Sequence, residues 1–452
     1  MRHLLASTCL AALAIAPLHA ETTVTDKRTV PLRTATIKAG APDDIRITST
    51  GTVELAAPGA AVTLDSPNSV VNEGTIQISN QNDSAGIRAQ SGQLGNITNA
   101  ASGKIVIDET YTAADADNDG DLDGPLAVGS GRFGIQTVGI FNGNVTNNGA
   151  ITIEGQDSAG IQTGSLLDGK LVSDGAIVVT GDRSAGIRIG NVTGGVQTAA
   201  VGQPVTAIRI AGSVTATGKD AVGVSLEGDV NGALVIQGAV SATGYRSSTV
   251  PADTSKLDAD DLLQGGPAVR IAGSVAQGVI FAVPPKDNST TDNDEDKDGI
   301  DDAKEGSAAI TSAGSAAAVE IGSATRALTL GPVTGNADGH GLVNEGTIVG
   351  AGLYPGVASN GVVIALPYGD CDTAKEGARI FADKWKNAAG RDGQTGAQRT
   401  GREPAVTVHQ AREACVALLS LMGAPDAGQG NPVLRYITGA IWQRDFKALQ
   451  GG

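Results

Sequence analysis

Two stretches of this 452-residue chain carry acidic side chains at a spacing that could hold a metal ion. Asp294-Glu295-Asp296-Lys297-Asp298-Gly299-Ile300-Asp301-Asp302-Ala303-Lys304-Glu305 satisfies the pattern D-x-D-x-D-G-x5-E over its whole length. Calcium takes about six to eight oxygen ligands, a glycine makes the sharp turn, and a bidentate carboxylate closes the shell. Asp294, Asp296, Asp298, the Ile300 carbonyl, Asp302 and Glu305 are the expected ligands, and Ca2+ is the expected cofactor. A second stretch keeps the spacing with Asp115, Asp117, Asp119, Gly120, Asp121 and Asp123, but its twelfth position is Leu126, which cannot coordinate. A neighbouring coil is expected to complete that shell. A third run, Asp258 to Asp261, has no ligand spacing and reads as a surface loop or a helix start. For all three the plain alternative is a solvated acidic loop.

Catalytic chemistry has less to stand on. Beyond the first 20 residues the chain holds two histidines, His340 and His409, and no G-x-S-x-G elbow. His340 lies in Gly339-His340-Gly341, which reads as a surface turn. A carboxylate pair of the glycosidase kind is not legible in sequence, because folding brings distant residues together. No catalytic residue is assigned, and the chain is expected not to be an enzyme.

These acidic loops must be carried by something, and the composition says what. The mass of 45.0 kDa is low for this length because 63 residues are glycine and only 12 are aromatic. Val and Ile are abundant, so a core of small and β-branched side chains suits short strands better than a helical bundle. A formal net charge of -16 argues against nucleic acid, which is bound through clusters of Lys and Arg. Residues 1–20 combine a short basic start with the apolar run Leu4 to Leu18 and a small residue before Glu21. That is the form of a secretory signal peptide, so export is expected, and no later run is long and apolar enough for a membrane-spanning helix.

Internal repetition is the strongest signal. Asp83-Ser84-Ala85-Gly86-Ile87-Arg88 recurs as Asp157-Ser158-Ala159-Gly160-Ile161-Gln162, as Ser184-Ala185-Gly186-Ile187-Arg188, and loosely as Ala221-Val222-Gly223-Val224. Gly86, Gly134, Gly160, Gly186 and Gly223 mark equivalent points with a base period of 26, and the acidic insertion between Ile107 and Arg132 accounts for the longer first step. Each period holds three short alternating runs, such as Asn144-Val145-Thr146, Ala150-Ile151-Thr152-Ile153 and Ala159-Gly160-Ile161-Gln162. Such strands bury a face only when coil stacks on coil. The expected fold is all-β: a right-handed parallel β-helix over residues 45–365, with Asn and Gly at positive-φ corners and about 12 coils. Residues 21–44 read as an N-terminal linker or cap.

Composition changes near residue 366. Residues 366–452 hold six of the twelve aromatics, Cys371, Cys415, and 11 Lys and Arg against 9 Asp and Glu. Ala374, Ala378, Phe381, Trp385 and Ala388 recur at helical spacing, as do Ala411, Cys415, Leu418 and Met422. A small helical C-terminal segment is expected there. Three origins fit it: an appended module, a cap on the last coil, or sequence created by a disrupted reading frame.

The leader, the Asn-x-Gly-x-Ile-x-Ile and Asp-x-Ser-Ala-Gly-Ile repeats, and the loops Asp115 to Pro125 and Asp292 to Gly306 together resemble passenger domains of bacterial type V autotransporters. Those of sphingomonad-like alphaproteobacteria are the most similar, and the likeness covers roughly residues 1–365. The loop at 294–305 resembles the calcium loops of thrombospondin type 3 repeats. The resemblance implies a periplasmic intermediate and a surface-displayed, often adhesive β-helix, with a host, surface or glycan receptor as partner and a monomeric state. It also implies a C-terminal barrel of about 12 strands. Residues 366–452 do not alternate as such strands do, so truncation before the translocator is expected; the family implies the cell surface or outer membrane, and a chain without its translocator the periplasm. A β-helical polysaccharide lyase or hydrolase is the second reading.

Overall fold

The computed structural model describes residues 21–116, 118, 122–196, 204–250, 253–254, 257–285, 305–323 and 325–365. The helical segment expected within 366–452, with Cys371 and Cys415, lies outside them, as does the leader. Among the described residues the fold is all-β and parallel. Three sheets of ten strands each run from Glu21 to Ile364. Each turn of the coil, here a rung, contributes one strand to each sheet. The first sheet begins with Glu21–Val24, the second with Lys27–Arg28 and the third with Leu32–Arg33. The chain is a parallel β-helix.

Three strands per period and the placing of the repeat glycines follow the sequence closely. Ile87 pairs with Ile135, Ile135 with Ile161, Ile161 with Ile187, and Ile187 with Val224, so the recurring Gly-Ile marks one position in successive rungs. The rungs number ten rather than about twelve. Insertions take the missing length: residues 109–132, 244–268, 282–308 and 322–341 all lie between strands. The first rung also starts earlier than expected, because Glu21–Arg33 pairs with rung two inside the segment read as a linker or cap. A short fourth sheet lines one corner with Gln93–Leu94, Ile140–Asn142, Leu166–Asp168 and Asn191–Val192, and buries Phe141 and Leu167.

Inward positions form apolar columns. In the second sheet Val53, Ile76, Ile105, Ile151, Ile177, Val214, Val240 and Ile310 stack in register, and all are buried. One column of the first sheet is partly polar. Asn72 Nδ2 donates to Asn99 Oδ1 and Asn99 Nδ2 to Asn147 Oδ1, each at 2.8 Å, with all three side chains fully buried. Asparagine was expected at positive-φ corners, as Asn80 is; Asn72, Asn99 and Asn147 instead point inward and satisfy one another.

Gly155, Gly181 and Gly218 take positive φ at successive corners, as expected, whereas the glycine of the Gly-Ile repeat is kept for space. Positive φ also falls on Asp83, Asp157, Arg183 and Asp220, three to four residues ahead of the Gly-Ile. Gly160 is required by space: a Cβ there would lie 2.4 Å from Ile177 Cγ2 and 2.6 Å from the Gly186 carbonyl oxygen. A Gly160→Ala variant should therefore lose about 1–3 kcal/mol to overpacking, read as a lower denaturation midpoint.

Candidate functional site

Both long acidic insertions described by the structure leave the rod at the same corner, between the second and third sheets. The first, residues 109–132, belongs to rung four and the second, 244–268, to rung eight. At about 4.8 Å per strand their bases are roughly 19 Å apart along the rod. Their tips nevertheless meet.

The base of the first insertion is an ion pair sunk in the wall. Arg132 occupies the corner position that Ser158 and Ser184 hold in the next two rungs, where each serine oxygen accepts a backbone N–H of the rung before. Its Nη1 lies 2.8 Å from Glu109 Oε2, and the two side chains are only 2% and 4% exposed. Arg132 also donates to the Gln81 and Glu154 carbonyls, while Glu109 accepts from the Val128 and Gly129 amides. The two charges are thus saturated with partners, the condition under which a buried pair is tolerated. They staple both ends of the insertion to the coil.

Further out, Ala114 and Asp123 bridge to close the loop that carries the aspartates. Asp123 Oδ2 accepts the Ala116 amide. Asp115 is exposed, and Asp117, Asp119 and Asp121 lie outside the described residues. The second insertion brings two more carboxylates to this loop. Asp258 and Asp260 come to Asp123 so that one carboxylate oxygen from each lies within 4.8 Å of the others. Asp260 Oδ2 accepts the Gly124 amide at 2.6 Å and lies 3.4 Å from Arg246 Nη2, which also donates to the Gly124 carbonyl. Hydrogen bonding with Asp260 raises the Asp258 carboxyl above its ordinary value and lowers Asp260. Asp261, buried at the root of the turn, accepts the Asp258 amide. The run 258–261 is therefore a loop, as one of its two sequence readings had it. Its role was invisible in sequence because its partner is some 135 positions away.

The second insertion continues the strap towards the end of the rod. Tyr245 is fully buried, packs edge-on against Tyr354 of rung ten with ring centroids 4.7 Å apart, and donates to the Gly352 carbonyl at 3.0 Å. Gln264 accepts the Ser315 amide of rung nine. The two insertions thus meet on one flank of the solenoid, and the second reaches rungs nine and ten.

The twelve-residue loop lies at a different corner, between the first and second sheets. Asp294, Asp296, Asp298, Ile300 and Asp302 lie outside the described residues. Glu305, the expected bidentate ligand, docks on the wall: Gln237 Nε2 donates to its Oε1 at 2.6 Å, and Arg209 in turn donates to Gln237. One of the two oxygens needed for bidentate closure is thus engaged by protein. His340 sits in a turn, its carbonyl accepting the Val333 amide. Among the described residues no helix is long and apolar enough to cross a membrane.

Comparison with family models, with curated proteins and with solved structures finds no match to this chain. The site has to be read from its own geometry.

An Arg132→Met variant would leave Glu109 buried without its counter-charge. It should lose about 3–5 kcal/mol in chemical denaturation and release the strap at its base; a loss below about 1 kcal/mol would show that Glu109 reaches solvent.

Proposed function

We propose that this chain is an exported β-helical rod of the autotransporter-passenger type, structural or adhesive, whose mechanism is display. The observation that carries the reading is the division of labour between coil and insertions. Strand register is kept through ten rungs, and the added length goes into corners, where it forms a surface strap. A rigid scaffold with variable loops at its edges is how proteins usually present recognition surfaces. The leader supports export, and a host, surface or glycan receptor is the partner the reading calls for.

Surface labelling tests it directly. An antibody against residues 109–131 should stain intact cells that make the chain from its own promoter. Staining only after the outer membrane is opened would place the chain in the periplasm and sink the display reading. Release of unsaturated sugars from a polysaccharide by the purified mature chain would make it a lyase instead.

Calcium is the second part of the proposal. It would hold the junction of the two insertions and the loop at 294–305. Asp123, Asp258 and Asp260 offer only hard oxygen donors, and separations within 4.8 Å suit ligands on one ion at about 2.4 Å each. The ion would bind the carboxylate form of Asp258, which hydrogen bonding with Asp260 and then their mutual repulsion disfavour. Calcium should raise the melting temperature of the mature chain by a few degrees, and the rise should shrink as the pH falls towards the raised Asp258 value. Asp123→Asn with Asp258→Asn should remove one calcium equivalent in a titration, and Glu305→Gln should weaken another. Identical titrations for wild type and both variants would rule the assignment out.

A further inference from the structure

The outward row of the third sheet has a composition unlike the rest of the surface. In register from rung one to rung ten it reads Arg33, Thr63, Arg88, Gln136, Gln162, Arg188, Ser225, Arg270, Glu320 and Val363. The corresponding row of the second sheet, from Glu54 through Gln77, Val106, Thr152, Val178, Thr215, Ser241 and Thr311 to Val349, has no cation. A chain of net charge -16 thus stacks four arginines and two glutamines in a single file.

We infer that this row binds a linear acidic polysaccharide lying along the rod axis. A role for the row as a glycan receptor rests on the display reading above, and its chemistry on the side chains it carries. Successive rungs place one side chain about every 4.8 Å, comparable with the length of one sugar unit in an extended chain. From Arg88 to Arg270 the file covers five steps, roughly 24 Å. Guanidinium groups present planar pairs of donors that match carboxylates, and the Gln amides offer both donor and acceptor to hydroxyls.

Three local features favour occupancy. Ser225 is the one short side chain between Arg188 and Arg270, and its place opens a hollow of about 190 Å³ lined also by Arg183, Asp220 and Glu227. That is roughly the volume of six waters, the scale of a single sugar ring. Arg188 and Arg270 are 26% and 38% exposed, and the carboxylates of their ion pairs stand off at 3.5 Å from Glu227 and 4.0 Å from Glu320. Two strand spacings separate these arginines, so they can take alternate charged units of one polymer. Finally, Gln162 is partly exposed between Gln136 and Arg188 in the file, a side chain whose amide N–H can donate to a hydroxyl. Nucleic acid fits the row poorly: it contains no aromatic side chain on which bases could stack.

The test uses the full mature chain and measures binding to polygalacturonate by calorimetry at low salt. A chelator is present throughout, so that calcium bridging contributes nothing, and uncharged dextran is the comparison polymer. Polygalacturonate should bind and dextran should not. Arg188→Gln with Arg270→Gln should weaken binding at least tenfold and flatten its salt dependence, at an unchanged melting temperature. Lys104→Gln, on the cation-poor second sheet, should bind as wild type does. Lack of binding by wild type, equal binding by dextran, or full binding by the double arginine variant would each overturn the inference. A chain displayed on intact cells that binds no polygalacturonate would refute the polysaccharide site alone; binding by a chain confined to the periplasm would refute display alone.

Discussion

The closeness of one rung to the next is the constraint on which the rest of this protein depends. Strands stacked at about 4.8 Å leave no freedom in register, because a slip of one residue would turn every inward Ile or Val outward. The interior is also narrow. Where the second sheet turns into the third, the γ-methyl of Ile177 fills the space that a side chain on residue 160 would need. A Cβ at residue 160 would collide there, and glycine holds the same place from Gly86 through Gly134, Gly160 and Gly186 to Gly223, while Ala61, Ala268 and Ala318 hold it in other rungs. Low mass per residue, the recurring Gly-Ile and the scarcity of aromatics are three consequences of one packing limit.

The same limit controls where polar groups can go. Inside, the largest polar groups sit in networks: the Asn72–Asn99–Asn147 ladder, and the Glu109–Arg132 pair with its four backbone partners. An unpaired member of either would carry its full desolvation cost. Further along the first sheet the asparagine column gives way to Ile210, Ile236 and Phe281, so the fold accepts either solution provided the column is satisfied. The ladder fixes register by hydrogen bonds where the later rungs fix it by shape.

What could be read in the sequence follows the same division. Period, strand number and the alignment of Ile87, Ile135, Ile161 and Ile187 were legible because rung stacking makes neighbours of residues a fixed distance apart in the chain. The inward turn of Asn72 was not, since an Asn-x-Gly run looks the same at a corner and in a core. The meeting of Asp123 with Asp258 and Asp260 was hidden for a different reason. Insertions do not obey the period, so their contacts are set by how far each reaches along the flank. Asp258–Asp261 shows no ligand spacing because the third carboxylate comes from another insertion. Arg132 gave one usable signal: it replaces the small corner residue of the repeat, and a charge at a position otherwise held by Ser needs a partner nearby.

Stacking has one more effect, on the outside. Because rungs are in register, any residue type repeated on an outward position becomes a straight file of identical groups, and a file is matched by a linear polymer rather than by a globular surface. Arg88, Arg188 and Arg270 share such a file with Gln136 and Gln162. The overall charge of -16 does not cancel it. At physiological ionic strength fields fade over about 8 Å, so a ligand lying on the third sheet responds to the arginines beneath it and to Glu227 and Glu320 beside them, not to the acidic loops at distant corners. The net charge governs solubility and long-range approach, while the local file decides what is held. An acidic rod with one cationic face would repel anionic polymers in every orientation but one, and that selectivity is a product of the coil itself.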